Sequence, residues 1–126
     1  MLVHSSYVGD SIIDDNCSLA AGTVLANFRF DEKNVKVKVA EQGIDTGLDK
    51  FGTIMGSGSK TGINASIMPG VKIGPNSFVG SHVCLMRDLP PNRLVLMEPR
   101  YRVMDSSIIA LGSDKKKELM NKLEKM

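Results

Sequence analysis

Tryptophan is absent, and the other aromatics amount to two tyrosines and four phenylalanines in 126 residues. Charge of one sign is missing too: 16 basic and 14 acidic residues leave a formal +2, so nothing in the composition calls for a nucleic-acid partner. No apolar run reaches the roughly 18 residues needed to span a bilayer, and "MLVHSSYVGD" lacks the basic n-region and long apolar h-region of a secretory signal. A soluble, cytoplasmic protein with no membrane partner is expected. Cys17 and Cys84 form neither a CxxC motif nor a dense framework, which points to two reduced, packed thiols. At 42% apolar and 24% charged, the chain fits one modest domain.

What is present is a period. In "IMPGVKIGPNSFVGSH", residues 67–82, an aliphatic residue returns every six positions at Ile67, Ile73 and Val79. A strand repeats every two residues and a helix every 3.6, so six belongs to something larger. Counting in sixes from Ile73 gives Tyr7, Ile13, Leu19 and Leu25, and then, past a charged interruption, Met55, Thr61, Ile67, Ile73, Val79 and Leu85. Nine of these ten are apolar, where the overall composition would give about four. Glycine follows at Gly56, Gly62, Gly74 and Gly80, and a small or β-branched residue sits four places on at Ser59, Ala65, Val71, Ser77 and Val83. Hexapeptide repeats of this kind predict a parallel β-helix. Three hexads make one triangular coil, with the aliphatic residue inward, the small one filling the corner and glycine relaxing the bend. A β-sandwich has no reason to keep phase from 55 to 85. Repeats of this class wind left-handed, and the expected fold is all-β: a left-handed parallel β-helix with a long inserted loop and a C-terminal helix.

Within this single domain, coils are expected at about 1–25 and 53–90 and a long loop or hairpin at 26–50, where "VKVKV" alternates. After Leu85, Pro90, Pro91 and Pro99 forbid regular coils, which predicts an irregular extension over 91–112. A closing helix is expected over 113–126, starting about Asp114, with Leu119, Met120, Leu123 and Met126 on one side. Nothing caps the N-terminal coil, so the chain reads as a piece or a shortened version of a longer protein.

The chemistry is sparse. No GxSxG occurs. Some hexapeptide proteins, such as the gamma-class carbonic anhydrases, are trimeric zinc enzymes. Here, however, His4 and His82 lie three coils apart once the loop is removed, about 14 Å along the axis. They cannot share one metal, and no metal is expected. A single exposed histidine suits general-base work, since its ordinary pKa is about 6.5. Composition alone favours His4 as a surface or interface residue; its surroundings point elsewhere.

The run "VHSSYVGDSIIDDNCSLAAGTVLANFRFDEK", residues 3–33, resembles the acetyltransferase half of bifunctional enzymes that make UDP-N-acetylglucosamine. It is most similar to archaeal sugar-phosphate nucleotidylyltransferases carrying a β-helical C-terminal domain. The resemblance continues through "KFGTIMGSGSKTGINASIMPGVKIGPNSFVGS" to "RDLP", covering roughly residues 3–90. It implies that His4, in H-x-x-Y, is the general base, that Tyr7 contacts the amino sugar and that Asn27, after A-G-T, orients it. For the sugar phosphate it offers Lys50, or Lys33 and Lys36, of which the latter two fit the archaeal loop. Ala21 and Ser81 fall where the family lines the pantetheine groove, and Arg87 near coenzyme A phosphates. Ser18 stands where an asparagine is common among relatives, and their N-terminal nucleotidylyltransferase domain is expected to be absent.

The implied activity is transfer of an acetyl group from acetyl-CoA to the amine of glucosamine 1-phosphate or galactosamine 1-phosphate, without metal, at sites between subunits of a homotrimer. Missing upstream coils would impair it. The competing expectation is a non-catalytic scaffold that trimerises a sugar-phosphate nucleotidylyltransferase.

Overall fold

A computed structural model describes residues 5–109 and 112–126. In chain order the strands are β1 (Tyr7–Val8), β2 (Ile12–Ile13), β3 (Ser18–Leu19), β4 (Val24–Leu25), β5 (Lys36–Val39), β6 (Gln42–Asp45), β7 (Ile54–Met55), β8 (Lys60–Thr61), β9 (Ser66–Ile67), β10 (Lys72–Ile73), β11 (Phe78–Val79), β12 (Cys84–Leu85) and β13 (Leu94–Val95). Except for the β5–β6 hairpin, all pair in parallel on three faces: β1-β4-β9-β12, β2-β7-β10 and β3-β8-β11-β13. The chain visits the three faces in rotation, and between regular coils the partners are 18 residues apart, as in Ile54 with Lys72, Lys60 with Phe78 and Ser66 with Cys84. This is a three-sided parallel β-helix.

The second residue of the short strands from β3 to β12 points inward, whereas Ile13 of β2 is exposed. Leu19, Leu25, Met55, Ile67, Ile73 and Val79 are essentially inaccessible, and with the corner-filling Ala65, Val71 and Val83 they form one core. Full burial of such a side chain is worth about 1.5–3 kcal/mol, so this column is the main term holding the coils together. Thr61, the polar exception, is buried because its hydroxyl shares a 2.8 Å hydrogen bond with that of Thr23 inside the prism.

The bend falls elsewhere than expected. The backbone turns left-handed three residues after most inward positions, at Asn16, Gly22, Gly58, Asn64, Gly70, Asn76 and His82. Glycine and asparagine tolerate that conformation, and His82 takes their place on an exposed corner. The glycines directly after the inward residues serve the stacking instead: a Cβ on Gly56 would lie 2.5 Å from the backbone nitrogen of Pro75 in the next coil.

Four further expectations change. Tyr7 is not inward, because Val8 pairs with Leu25 and leaves Tyr7 opposite the outward Val24; the first step, Val8 to Ile13, is one residue short. The prolines do not end the stack, since Leu89 bridges Ile73 and β13 pairs with β11. Cys17 is buried, its thiol donating to the Gly56 carbonyl at 3.2 Å, but Cys84 is exposed on an outer face rather than packed. Helix α1 (Ser113–Glu124) carries Asp114 in its first turn and Lys122 in its last, as the helix dipole favours. Its Leu119, Met120 and Leu123 are about half exposed, so it does not close the prism within this chain.

Between Asn27 and Lys50 the chain leaves the stack. Phe28 occupies the corner position that needs glycine or asparagine, and it bridges Lys50 at the base of the loop. The alternation in "VKVKV" makes β5, and Ala40 and Glu41, both at positive φ, form the two-residue turn to β6. Val35 and Val37 are buried beneath the hairpin, where Val35 and the Lys36 carbonyl abut Gly70. The loop thus folds back onto its own prism.

Candidate functional site

Corners that follow β1, β4, β9 and β12 stack into one edge of the prism. In axial order it carries Asp10, then Asn27, then Pro69 and Gly70, then Arg87 and Asp88. Parallel pairing of β1 with β4 puts Tyr7 one coil from Asn27, about 4.8 Å along the axis. The Tyr7 hydroxyl donates to Asn27 Oδ1 at 3.4 Å, and Asn27 Nδ2 donates to the Asp10 carboxylate at 2.6 Å. Gly9 is buried directly under Asn27, which a Cβ there would displace. Asn27 is half-buried, whereas Tyr7 and Asp10 face solvent. The result is a short polar relay on an open surface.

Further along the same edge, the hairpin and the last coil enclose a cavity of about 700 Å³. Lys36 and Lys38 enter it from β5, Arg87 and Asp88 from the corner after β12, and Glu41 from the hairpin turn. Asp88 is held by Lys72 at 3.6 Å. Among the described residues, Lys36, Lys38 and Arg87 have no ion-pair partner, so the cavity carries a net positive field suited to an anion. A second, mostly apolar hollow of about 400 Å³ lies between this cavity and Asn27, lined by Phe28, Phe30 and Met68 and sharing Pro69 with it. Arg29 is already committed there: it chelates Asp31 through Nε at 2.9 Å and Nη2 at 2.6 Å. That guanidinium bond, with the Lys33 backbone N–H, lowers the Asp31 carboxyl from 3.8 to about 2.

Residues 52–87 match the family described as bacterial transferase hexapeptide (six repeats). The chain is a hexapeptide-repeat protein. Over 92 residues it is 47% identical to the bifunctional protein GlmU of Methanocaldococcus jannaschii, covering 73% of this chain and 22% of that one. It is 46% identical over 86 residues to the bifunctional sugar-1-phosphate nucleotidylyltransferase/acetyltransferase of Sulfurisphaera tokodaii, covering 68% and 21%. The chain therefore spans about a fifth of the length of these relatives. Among solved structures, serine acetyltransferase isoform 3 of Entamoeba histolytica, in complex with cysteine, superposes with a TM-score of 0.58 at 14% identity, over 86% of this chain and 32% of that one. That likeness is one of fold.

On the hexapeptide scaffold, the residues singled out in the sequence fall into three groups. Tyr7 and Asn27 meet, and His4 lies outside the described residues. Lys36 and Arg87, expected to serve different ligands, share one cavity; Lys33 lies on the loop beyond Asp31. Lys50 pairs with Phe28, and its neighbour Phe51 donates its N–H to the Asn27 carbonyl at 2.9 Å, so the Lys50 backbone sits at the root of the site. Ala21 and Ser81 lie on a different edge, at corners that follow β3 and β11. Sequence reasoning missed Asp10 and Lys38. Asp10 stands three residues after Tyr7 in the quoted run of residues 3–33, and strand alternation puts Lys38 on the same side as Lys36. Among the described residues no three His, Cys, Asp or Glu side chains converge on a point that would hold a metal, and no helix is long and apolar enough to cross a membrane.

Proposed function

We propose that this chain transfers the acetyl group of acetyl-CoA to the amine of an amino-sugar 1-phosphate, glucosamine 1-phosphate or galactosamine 1-phosphate. The observation that carries this reading is the pairing, along one edge, of the Tyr7–Asn27–Asp10 relay with a cationic cavity. The amine and the 1-phosphate stand on adjacent ring carbons, so with the amine at the relay the long Lys36 and Arg87 side chains reach back along the edge to the phosphate. The chemistry asks little of the protein, because a thioester is already reactive: the site must hold amine and carbonyl within about 3–3.5 Å and remove one proton. In this reading His4 takes the proton as nitrogen bonds to the thioester carbon. The tetrahedral oxyanion then collapses, the C–S bond breaks, and the thiolate of coenzyme A takes up a proton. No covalent enzyme intermediate forms and no metal takes part.

Lys36, Lys38 and Arg87 neutralise the sugar phosphate, with Lys33 and Lys50 as further contacts from the loop. Ala21 and Ser81 line the pantetheine groove. Because those two lie on a separate edge, the complete site forms between copies of the chain in a homotrimer of left-handed β-helices, where that edge of one protomer meets the Tyr7–Asn27 edge of the next. The test is coenzyme A release with each hexosamine 1-phosphate, with His4→Ala as control. Release from at least one sugar, abolished in the variant, is expected. A trimeric chain that releases none from either would have assembly as its role instead.

A further inference from the structure

An asparagine amide looks nearly the same either way round, yet its two ends are opposite in hydrogen bonding. In Asn27 the choice is made by Asp10. A carboxylate accepts only, so the amide end 2.6 Å from Asp10 must be Nδ2, since a flipped amide would bring two acceptor oxygens together. Oδ1 is thereby turned to Tyr7, and the phenolic hydrogen is the donor between them at 3.4 Å. That contact is longer than the usual O–H···O distance of about 2.7–2.8 Å, so it sets a direction more than it locks the ring. With its one hydrogen turned inward, the Tyr7 oxygen offers only lone pairs to solvent. Asp10 itself is held at positive φ, with its carbonyl accepting the Gly52 N–H at 3.0 Å, and Gly9, having no Cβ, lets the Asn27 side chain settle over its backbone.

We propose that Asp10 is a positioning residue that fixes the Asn27 amide and so makes Tyr7 an acceptor, selecting a hydrogen-bond donor, the amine or a hydroxyl of the acceptor sugar, and disfavouring a carbonyl at that point. This rests on the acetyl-transfer reading for its kinetic consequence but not for the amide orientation. The test uses ¹⁵N-labelled full chain. The Asn27 side-chain NH₂ pair, identified by its loss in Asn27→Ala, should move on Asp10→Ala to the shifts of a solvated amide while backbone signals from β7 onward stay in place. In parallel, Asp10→Ala should lower kcat/KM for glucosamine 1-phosphate about tenfold or more, as expected for losing a charge-assisted hydrogen bond, and leave the KM for acetyl-CoA unchanged. Asp10→Glu should recover part of that loss. An Asn27 pair unmoved by Asp10→Ala overturns the proposal, as does an equal loss toward both substrates. If the wild-type chain releases no coenzyme A at all, the activity reading fails, and the amide shift still decides the orientation.

Discussion

Gly9→Ala tests the site through a single methyl group. A Cβ at Gly9 would lie 2.5 Å from Asn27 Cγ, 2.6 Å from Nδ2 and 2.7 Å from Cβ, against an ordinary contact of 3.4–4 Å. Asn27 must therefore retreat by about 1 Å, because close-packed atoms cannot overlap to that extent. That shift carries Nδ2 from 2.6 Å to beyond the hydrogen-bonding limit with Asp10. A hydrogen bond to a charged group is worth about 1.5–3 kcal/mol, which corresponds to roughly a 10- to 150-fold loss in kcat/KM for the amino-sugar phosphate. The fold should suffer less. Most of the obstacle is a half-buried side chain with room toward solvent, so a loss of about 1 kcal/mol, at the low end for overpacking, is expected. Coenzyme A release at varied glucosamine 1-phosphate, beside a urea melt at fixed protein concentration, separates the two effects. Wild-type kinetics in a folded Gly9→Ala protein would refute the use of Asn27 in acceptor binding.

Other outcomes follow from the same geometry. If Lys36 and Arg87 hold one phosphate, Lys36→Ala and Arg87→Ala should each raise the KM for the amino-sugar phosphate about tenfold. A double-mutant cycle should then show coupling between them, and additive effects on two different substrates would refute the shared cavity. Replacing Ala40-Glu41 with Asn-Gly, residues at ease in left-handed backbone, should raise the melting temperature by a few degrees, about 1 kcal/mol, and an unchanged or lower one would refute the strained turn. Asp31, lowered by its bond to Arg29, keeps its ion pair intact above the ordinary carboxylate range and loses it as pH falls from about 4 toward 2. A carboxyl ¹³C titration with a midpoint at 3.8 would contradict that pairing.

The stack is legible from residues alone because each inward position must be apolar while its neighbours need not be, and that requirement recurs at Ile67, Ile73 and Val79. The misplacement of Tyr7 has an equally plain origin: β1 to β2 is a five-residue step, and counting in sixes runs across it. A second column of period six, the asparagines and glycines at left-handed corners from Asn16 to Asn76, was present in the sequence and gives the bends more directly than the glycines after the inward residues. Of the site, Tyr7 and Asn27 were named through resemblance, and parallel pairing explains why residues 20 positions apart in sequence become neighbours. The meeting of Lys36 with Arg87 had no local signal. It depends on where the hairpin comes to rest, which is fixed by Val35 and the Lys36 carbonyl settling beside Gly70, a contact between distant segments.

The way the loop is closed has an evolutionary corollary. Ile12 pairs with Ile54 and Ser18 with Lys60 as if the intervening excursion were not there, and Phe28 with Lys50 seals its neck. The excursion is therefore a removable cassette, and drift in its length or charge can retune what the protein grips without asking any coil to refold.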